Sequence, residues 1–259
     1  MSTHGMLEAR MRITSTDAWS VLVSYAGGAY ASLAVTTAGT DVYLRDVLDS
    51  LEANLNASHG GGTGTNWTVS YDFGEDGTGI VSISKSGTTW GIQWFSTTFR
   101  DICGFTGNIT GTAGQTQTGT YIADTIWLPG TTKSAQYKDS NPGHYLTDKR
   151  TTVSPTGVVK TLYGNKYVEI PTVRWDAVTH AKARGITERG SFERFWYYSQ
   201  LGEASYFDPG STCRYYPDAD SATAYAVRFQ DLATSDMKPM IDNWSGRYVV
   251  EIPRMTVQP

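Results

Sequence analysis

Between Trp67 and Trp94 the chain alternates apolar with polar residues in three successive runs, the pattern of β-strands with one buried face. Trp67, Val69, Tyr71 and Phe73 alternate with Thr68, Ser70 and Asp72. Val81 and Ile83 continue the pattern after a Gly/Asp-rich turn, and Trp90, Ile92 and Trp94 follow a turn at Lys85-Ser86-Gly87. These runs predict a three-stranded antiparallel meander with an aromatic face that needs a cover. The nearest cover is a helix predicted over 41–56. Its Leu44, Val47, Leu48, Leu51 and Leu55 fall at spacings of three and four, while Arg45, Asp49, Glu52 and Asn56 lie elsewhere on the surface. Thr40 is the expected N-cap, with Asp41 in the first turn.

Residues 1–12 are polar enough to be an arm or an edge strand. Trp19 to Tyr25 and Tyr30 to Thr36 predict a hairpin through Gly27-Gly28, and the glycine-rich stretch 59–65 predicts a surface loop with His59 at its tip. Thr98 to Asp101 has the form of a capping box, which would pack Phe99, Ile102 and Cys103 against the Trp90 strand. Residues 107–120 read as a loop or short polar strand. Tyr121 to Leu128 reads as a strand stopped by Pro129-Gly130.

The weakly patterned stretch 131–156 is the expected linker. Beyond it, Val158 to Leu162 and Tyr167 to Trp175 predict a hairpin turning at Gly164-Asn165. A helix is expected over 191–201, with Ser191 as N-cap and Phe192, Phe195, Trp196 and Ser199 on one side. The closing strands are expected at 213–216, 225–229 and 247–257. The fold class so predicted is mainly β with two or three short helices (α+β), antiparallel meanders being covered by helices. Two domains are expected: 1–130, holding helix 41–56, and 157–259, holding helix 191–201.

Of the 259 residues 18% are charged, against about 25% in ordinary domains, and the net charge is -4. There is no basic excess to hold a phosphate backbone, so no specific nucleic acid is expected as partner. Glu8 and Arg10 precede any apolar run and no 18-residue apolar stretch follows, which predicts synthesis in a cytoplasm and no membrane. Cys103 and Cys213 lack metal or CxxC spacing and are expected as buried thiols.

The sequence contains no nucleophile elbow, P-loop, HExxH, EF-hand or dinucleotide fingerprint. His4, His59, His144 and His180 are scattered, and Asp72 to Asp76 lacks calcium-loop spacing. No catalytic residue, cofactor or metal ligand is therefore assigned. The dense aromatic clusters single out Tyr197, Tyr198, Arg214, Tyr215 and Tyr216 as a candidate interface, because arginine and aromatic side chains are enriched where proteins meet. Exposed rings of this kind also stack on sugars, which is the alternative reading.

Phe99-Arg100-Asp101-Ile102-Cys103-Gly104-Phe105-Thr106-Gly107-Asn108-Ile109 follows the tryptophan strand and precedes a Thr/Gly-rich run and Ile126-Trp127-Leu128-Pro129. With Phe192 to Trp196, Arg214 to Asp218 and Trp244 to Tyr248, this pattern over residues 40–257 resembles minor virion proteins of tailed bacteriophages. The resemblance implies a non-enzymatic tail or baseplate subunit, such as a distal tail or adaptor protein. It would assemble in the host cytoplasm into a symmetric homo-oligomer beside neighbouring tail proteins. A host-surface glycan-binding module on the virion and a polymer hydrolase are the alternatives. No long coiled coil or β-helical repeat is present to build a fibre shaft.

Overall fold

The computed structural model describes residues 5–12, 19–35, 41–60, 66–73, 77–129, 144–153, 159–170, 173–201, 212–216, 224–229, 240–241, 247–252 and 255–257. In chain order these form β1 (Met6–Glu8), β2 (Met11–Arg12), β3 (Ser20–Tyr25), β4 (Ala31–Ala34), β5 (Asp41–Val42), α1 (Leu44–His59), β6 (Trp67–Tyr71), β7 (Val81–Lys85), β8 (Trp90–Trp94) and α2 (Thr97–Ile102). Then follow β9 (Ile109–Gly111), β10 (Thr116–Thr118), β11 (Ile126–Trp127), β12 (His144–Val153), β13 (Val159–Ile170), β14 (Val173–Val178), α3 (His180–Ala183) and α4 (Phe192–Leu201). The last strands are β15 (Cys213–Tyr216), β16 (Tyr225–Phe229), β17 (Met240–Ile241), β18 (Tyr248–Ile252) and β19 (Met255–Val257). The chain is thus mainly β, and every strand pairing among the described residues is antiparallel.

The expected meander is divided between two sheets. β6 pairs with β7 as predicted, but β8 leaves them and pairs with β3 and β9, giving sheets of order β10-β7-β6 and β4-β3-β8-β9. The turn at Gly87 (φ 79°) carries the chain across, and Trp67 meets Trp90 edge to face at 5.4 Å between centroids. The alternating aromatics therefore cover each other from facing sheets.

The remaining gap is closed by α1, whose apolar stripe Leu44, Val47, Leu48, Leu51 and Leu55 is buried as the spacing predicted. Its polar side chains serve the two open sheet edges. Glu52 accepts from the Val69 N–H (2.7 Å), and Asn56 both accepts from the Trp67 N–H (2.8 Å) and donates to its carbonyl (3.0 Å). Asn54 donates to the Ala34 and Val35 carbonyls on the opposite edge. The helix thereby fills the hydrogen-bonding place of a missing strand, and buried backbone groups gain the partners they require.

The start of α1 differs from expectation. Thr40 lies outside the described residues; the N-cap is Tyr43, with no capping bond from its own side chain. The Glu8 carboxylate of β1 accepts from the Arg45 N–H instead (3.0 Å). At the other end Lys85, an inward position of β7 and fully buried, donates to the carbonyls of His59 and Gly60, both at 3.1 Å. His59 is the last helical residue, not a loop tip. In α2 the cap is Ser96, whose hydroxyl accepts from the Thr98 N–H, two residues before the expected box. Phe99, Ile102 and Cys103 do bury against β8, Phe99 meeting Trp94 at 5.3 Å.

The other large sheet has the order β11-β1-β15-β16-β19-β13-β12. Residues 6–8 are neither arm nor edge: β1 lies between β11 and β15, with Met6, Leu7 and Glu8 all fully buried. This sheet joins strands from both sides of 131–156. Trp127 also meets Trp175 at 4.8 Å and Phe192 at 4.9 Å, so the two expected domains share a sheet and a core. Within the expected linker, residues 144–153 form β12; 131–143 lie outside the described residues. Gly164-Asn165 is no turn either. β13 runs through it, paired along its length with β12, and the register shifts opposite Thr147 and Lys149 as in a β-bulge. Helix α4 follows expectation: Phe192, Phe195, Trp196 and Ser199 are buried, and the Ser191 hydroxyl accepts from the Arg194 N–H (3.1 Å).

Candidate interaction site

β1, the first turn of α1 and β15 meet around Glu8. Along β1 the flanking Met6 and Leu7 pin the strand in the core, which forces the neighbouring carboxylate into a dry place. Glu8 stands directly opposite Arg214 in the β1–β15 register. Its Oε1 accepts from the Arg45 N–H, and its Oε2 accepts from the Tyr216 hydroxyl at 2.8 Å. Burial raises the Glu8 pKa above its ordinary 4.5, and these two donors together with Arg214 and Arg45 offset only part of that. Burial, with the Glu8 charge beside it, pushes the Tyr216 phenol up to about 12.

Outward of Glu8 lies a cleft of about 460 Å³, lined by Arg45, Asp46, Asp49, Tyr71, Arg214 and Tyr216 with Ala224. Arg214 and Asp46 pair fork to fork, with both N–O distances at 2.8 Å, and the Arg214 guanidinium lies 4.0 Å from the centroid of the Tyr43 ring. Burial works against the Arg214 charge, but Asp46 outweighs it and holds its pKa above the usual range. Tyr43 is fixed in turn by its hydroxyl, which donates to the Thr212 carbonyl (3.2 Å). The Arg45 guanidinium sits over Tyr216 (4.8 Å) and Tyr71 (5.4 Å), and the Tyr71 hydroxyl donates to Asp49 Oδ1 at 3.0 Å. The positions along α1 explain the grouping. Arg45 and Asp46 in the first turn and Asp49 one turn on are residues that the apolar stripe leaves outside.

Of the five residues singled out in the sequence, Arg214 and Tyr216 line this cleft, with the Tyr216 hydroxyl turned inward to Glu8. Tyr215, like Tyr216, is buried. It lies on the opposite face of β15, with its ring where a Cβ on Gly5 would touch it. Tyr215 packs in this chain's core, and Tyr216 packs between Glu8 and the cleft. Tyr197 and Tyr198 stand elsewhere, on α4, partly exposed and 5.7 Å apart edge to face. Arg194 covers Tyr198 at 4.7 Å and is clamped by Asp124 through bonds of 2.6 and 2.7 Å. The five thus divide among three places.

Sequence reasoning missed Glu8, Tyr43, Arg45, Asp46, Asp49 and Tyr71. The one available signal was an acidic residue inside Met6-Leu7-Glu8-Ala9, where a charge among core residues demands partners.

A second cleft, of about 540 Å³, is lined by Ile80, Tyr121, Ile122, Thr187, Glu188 and Arg189 with Thr120. Arg189 lies over the Tyr121 ring at 5.0 Å and donates to the Asp101 carbonyl. Among the described residues no group of three or more His, Cys, Asp or Glu could hold a metal ion. Both cysteines are buried thiols, as expected. Comparison with protein families, with curated proteins and with solved structures finds no match to this chain.

Proposed function

We propose that the chain is a structural virion protein of a tailed phage, built into the tail or baseplate as a ring or adaptor subunit through protein–protein interfaces. Its work is contact, with no reaction of its own. The observation that carries this reading is the second cleft. Tyr121 is 48% exposed there, yet it stands beside Ile80, Ile122 and a fixed Arg189, and Ile186, 40% exposed, adjoins the Thr187 to Arg189 rim. An aromatic ring, aliphatic side chains and an immobilised arginine at an open surface form the composition of an interface centre. The resemblance noted for residues 40–257 supports the same reading. Its partners are then further copies of the chain and neighbouring tail proteins, and its place is the virion, assembled in host cytoplasm.

A ring needs a heterologous contact, in which two different faces of the subunit meet. Native mass spectrometry and electron microscopy of the purified chain at high micromolar concentration should find a closed oligomer. Tyr121→Asp should shift it toward monomer, with an assembly constant weakened about tenfold or more. A parent chain that stays monomeric at every concentration, alone and with tail proteins, would overturn the proposal.

A further inference from the structure

We infer that the cleft over Glu8 is a binding site for a neutral saccharide, held through its ring hydroxyls by Arg45 and Asp49. The cleft is polar, and its fixed groups present donors and acceptors side by side. The Arg45 guanidinium is held between two tyrosines that also hydrogen-bond to it, and of its five N–H donors others remain for a ligand. One turn along α1, Asp49 uses Oδ1 to accept from Tyr71 and is otherwise open to the cleft. A pair of vicinal hydroxyls, each able to give and to accept, matches that combination.

Charge decides against the other classes. Two guanidinium groups, Arg45 and Arg214, balance two carboxylates, Asp46 and Asp49, and Arg214 is already joined to Asp46. A phosphate or carboxylate ligand at Arg45 would lie beside the Asp49 carboxylate. A lysine or arginine side chain from a protein would meet the Arg45 charge. A neutral ligand with both hydrogen-bonding senses meets neither penalty. The volume of about 460 Å³ lies within the range of roughly 300–1,000 Å³ typical of small-ligand sites. Arg214 clamped by Asp46 and Arg45 set between rings also means that little side-chain freedom is lost on binding.

This site lies apart from the Tyr121 cleft, and its test is independent of assembly. Saturation-transfer NMR and calorimetry on the full chain would use the methyl glycosides of glucose, galactose, mannose and N-acetylglucosamine, with a lysine-rich and a glutamate-rich peptide as rivals. At least one glycoside should bind saturably, in the millimolar range usual for one weak site. Asp49→Asn, which can still accept from Tyr71, should weaken it by about tenfold without moving the thermal transition, and Arg45→Lys should weaken it at least as much. Absence of saturable binding by all four glycosides would overturn the inference, as would binding that Asp49→Asn leaves unchanged. So would saturation by either peptide in their place.

Discussion

The two ends of α1 are both finished by a buried charge from a β-strand, yet they are built differently. At the N-terminus Glu8 accepts from the Arg45 N–H and also from Tyr216, so one carboxylate ties β1, α1 and β15 together. At the C-terminus Lys85 gives its protons to the His59 and Gly60 carbonyls and lies over Trp67 (5.0 Å) and Tyr25 (5.4 Å). Each charge faces the helix end of opposite partial charge, which favours it there. The difference teaches that a cap from outside the helix can be a junction or a plug. The anion joins three elements next to a polar cleft; the cation closes the end of one layer against aromatic faces.

The largest effect is expected from removing the junction. Glu8→Ala leaves the Tyr216 hydroxyl and the Arg45 N–H without their acceptor and should lower stability by about 3–5 kcal/mol. Lys85→Met keeps the apolar stem and removes only the ammonium, for a loss of about 1–3 kcal/mol. Urea titrations of the two variants measure both. A larger loss at Lys85 would break the comparison.

The pH dependence of the two ends should run in opposite directions. Folding raises the Glu8 pKa above 4.5, so the folded chain binds that proton more tightly. This contribution to stability is complete below pH 4.5 and is lost as the pH rises through the folded value. Burial lowers the Lys85 pKa from 10.5; its charge is carried at full cost below the folded value, and stability is recovered as the pH rises from there to 10.5. Glu8→Gln should flatten the acidic arm of a stability profile and Lys85→Met the alkaline arm. A Gln variant with the parent's acidic arm would remove Glu8 from this account.

A smaller effect tests the flank of the helix between its ends. Asn56→Ala removes two bonds to Trp67 and Glu52→Ala removes one to Val69, each for about 1 kcal/mol. Amide hydrogen exchange at Trp67 and Val69 should quicken in the respective variants. Unchanged exchange would show that the apolar stripe alone seats the helix.

What the sequence made legible was whatever a single element decides by itself. The stripe from Leu44 to Leu55 and the side of α4 bearing Phe192, Phe195, Trp196 and Ser199 are set by helical period, and both are found buried. The strand character of Trp90 to Trp94 was equally plain, but its partners were not, because alternation states which face is buried and not which strand lies alongside. Gly164-Asn165 has the composition of a turn and becomes a bulge only because 144–153 offers a long partner. The cleft was the least legible part. Glu8, Arg45 and Arg214 are far apart in the chain, and only the insertion of β1 beside β15 brings their chemistry together.

That insertion also sets a timetable. Because residues 7–8 pair with residues 126–127 on one side and residues 6–8 with 214–216 on the other, the seven-stranded sheet cannot close until residue 216 has left the ribosome. At about 5–20 residues per second the stretch with Met6, Leu7, Ala9 and Met11 waits on the order of ten seconds or longer for β15. Apolar side chains exposed for such an interval are the kind of surface that chaperones cover.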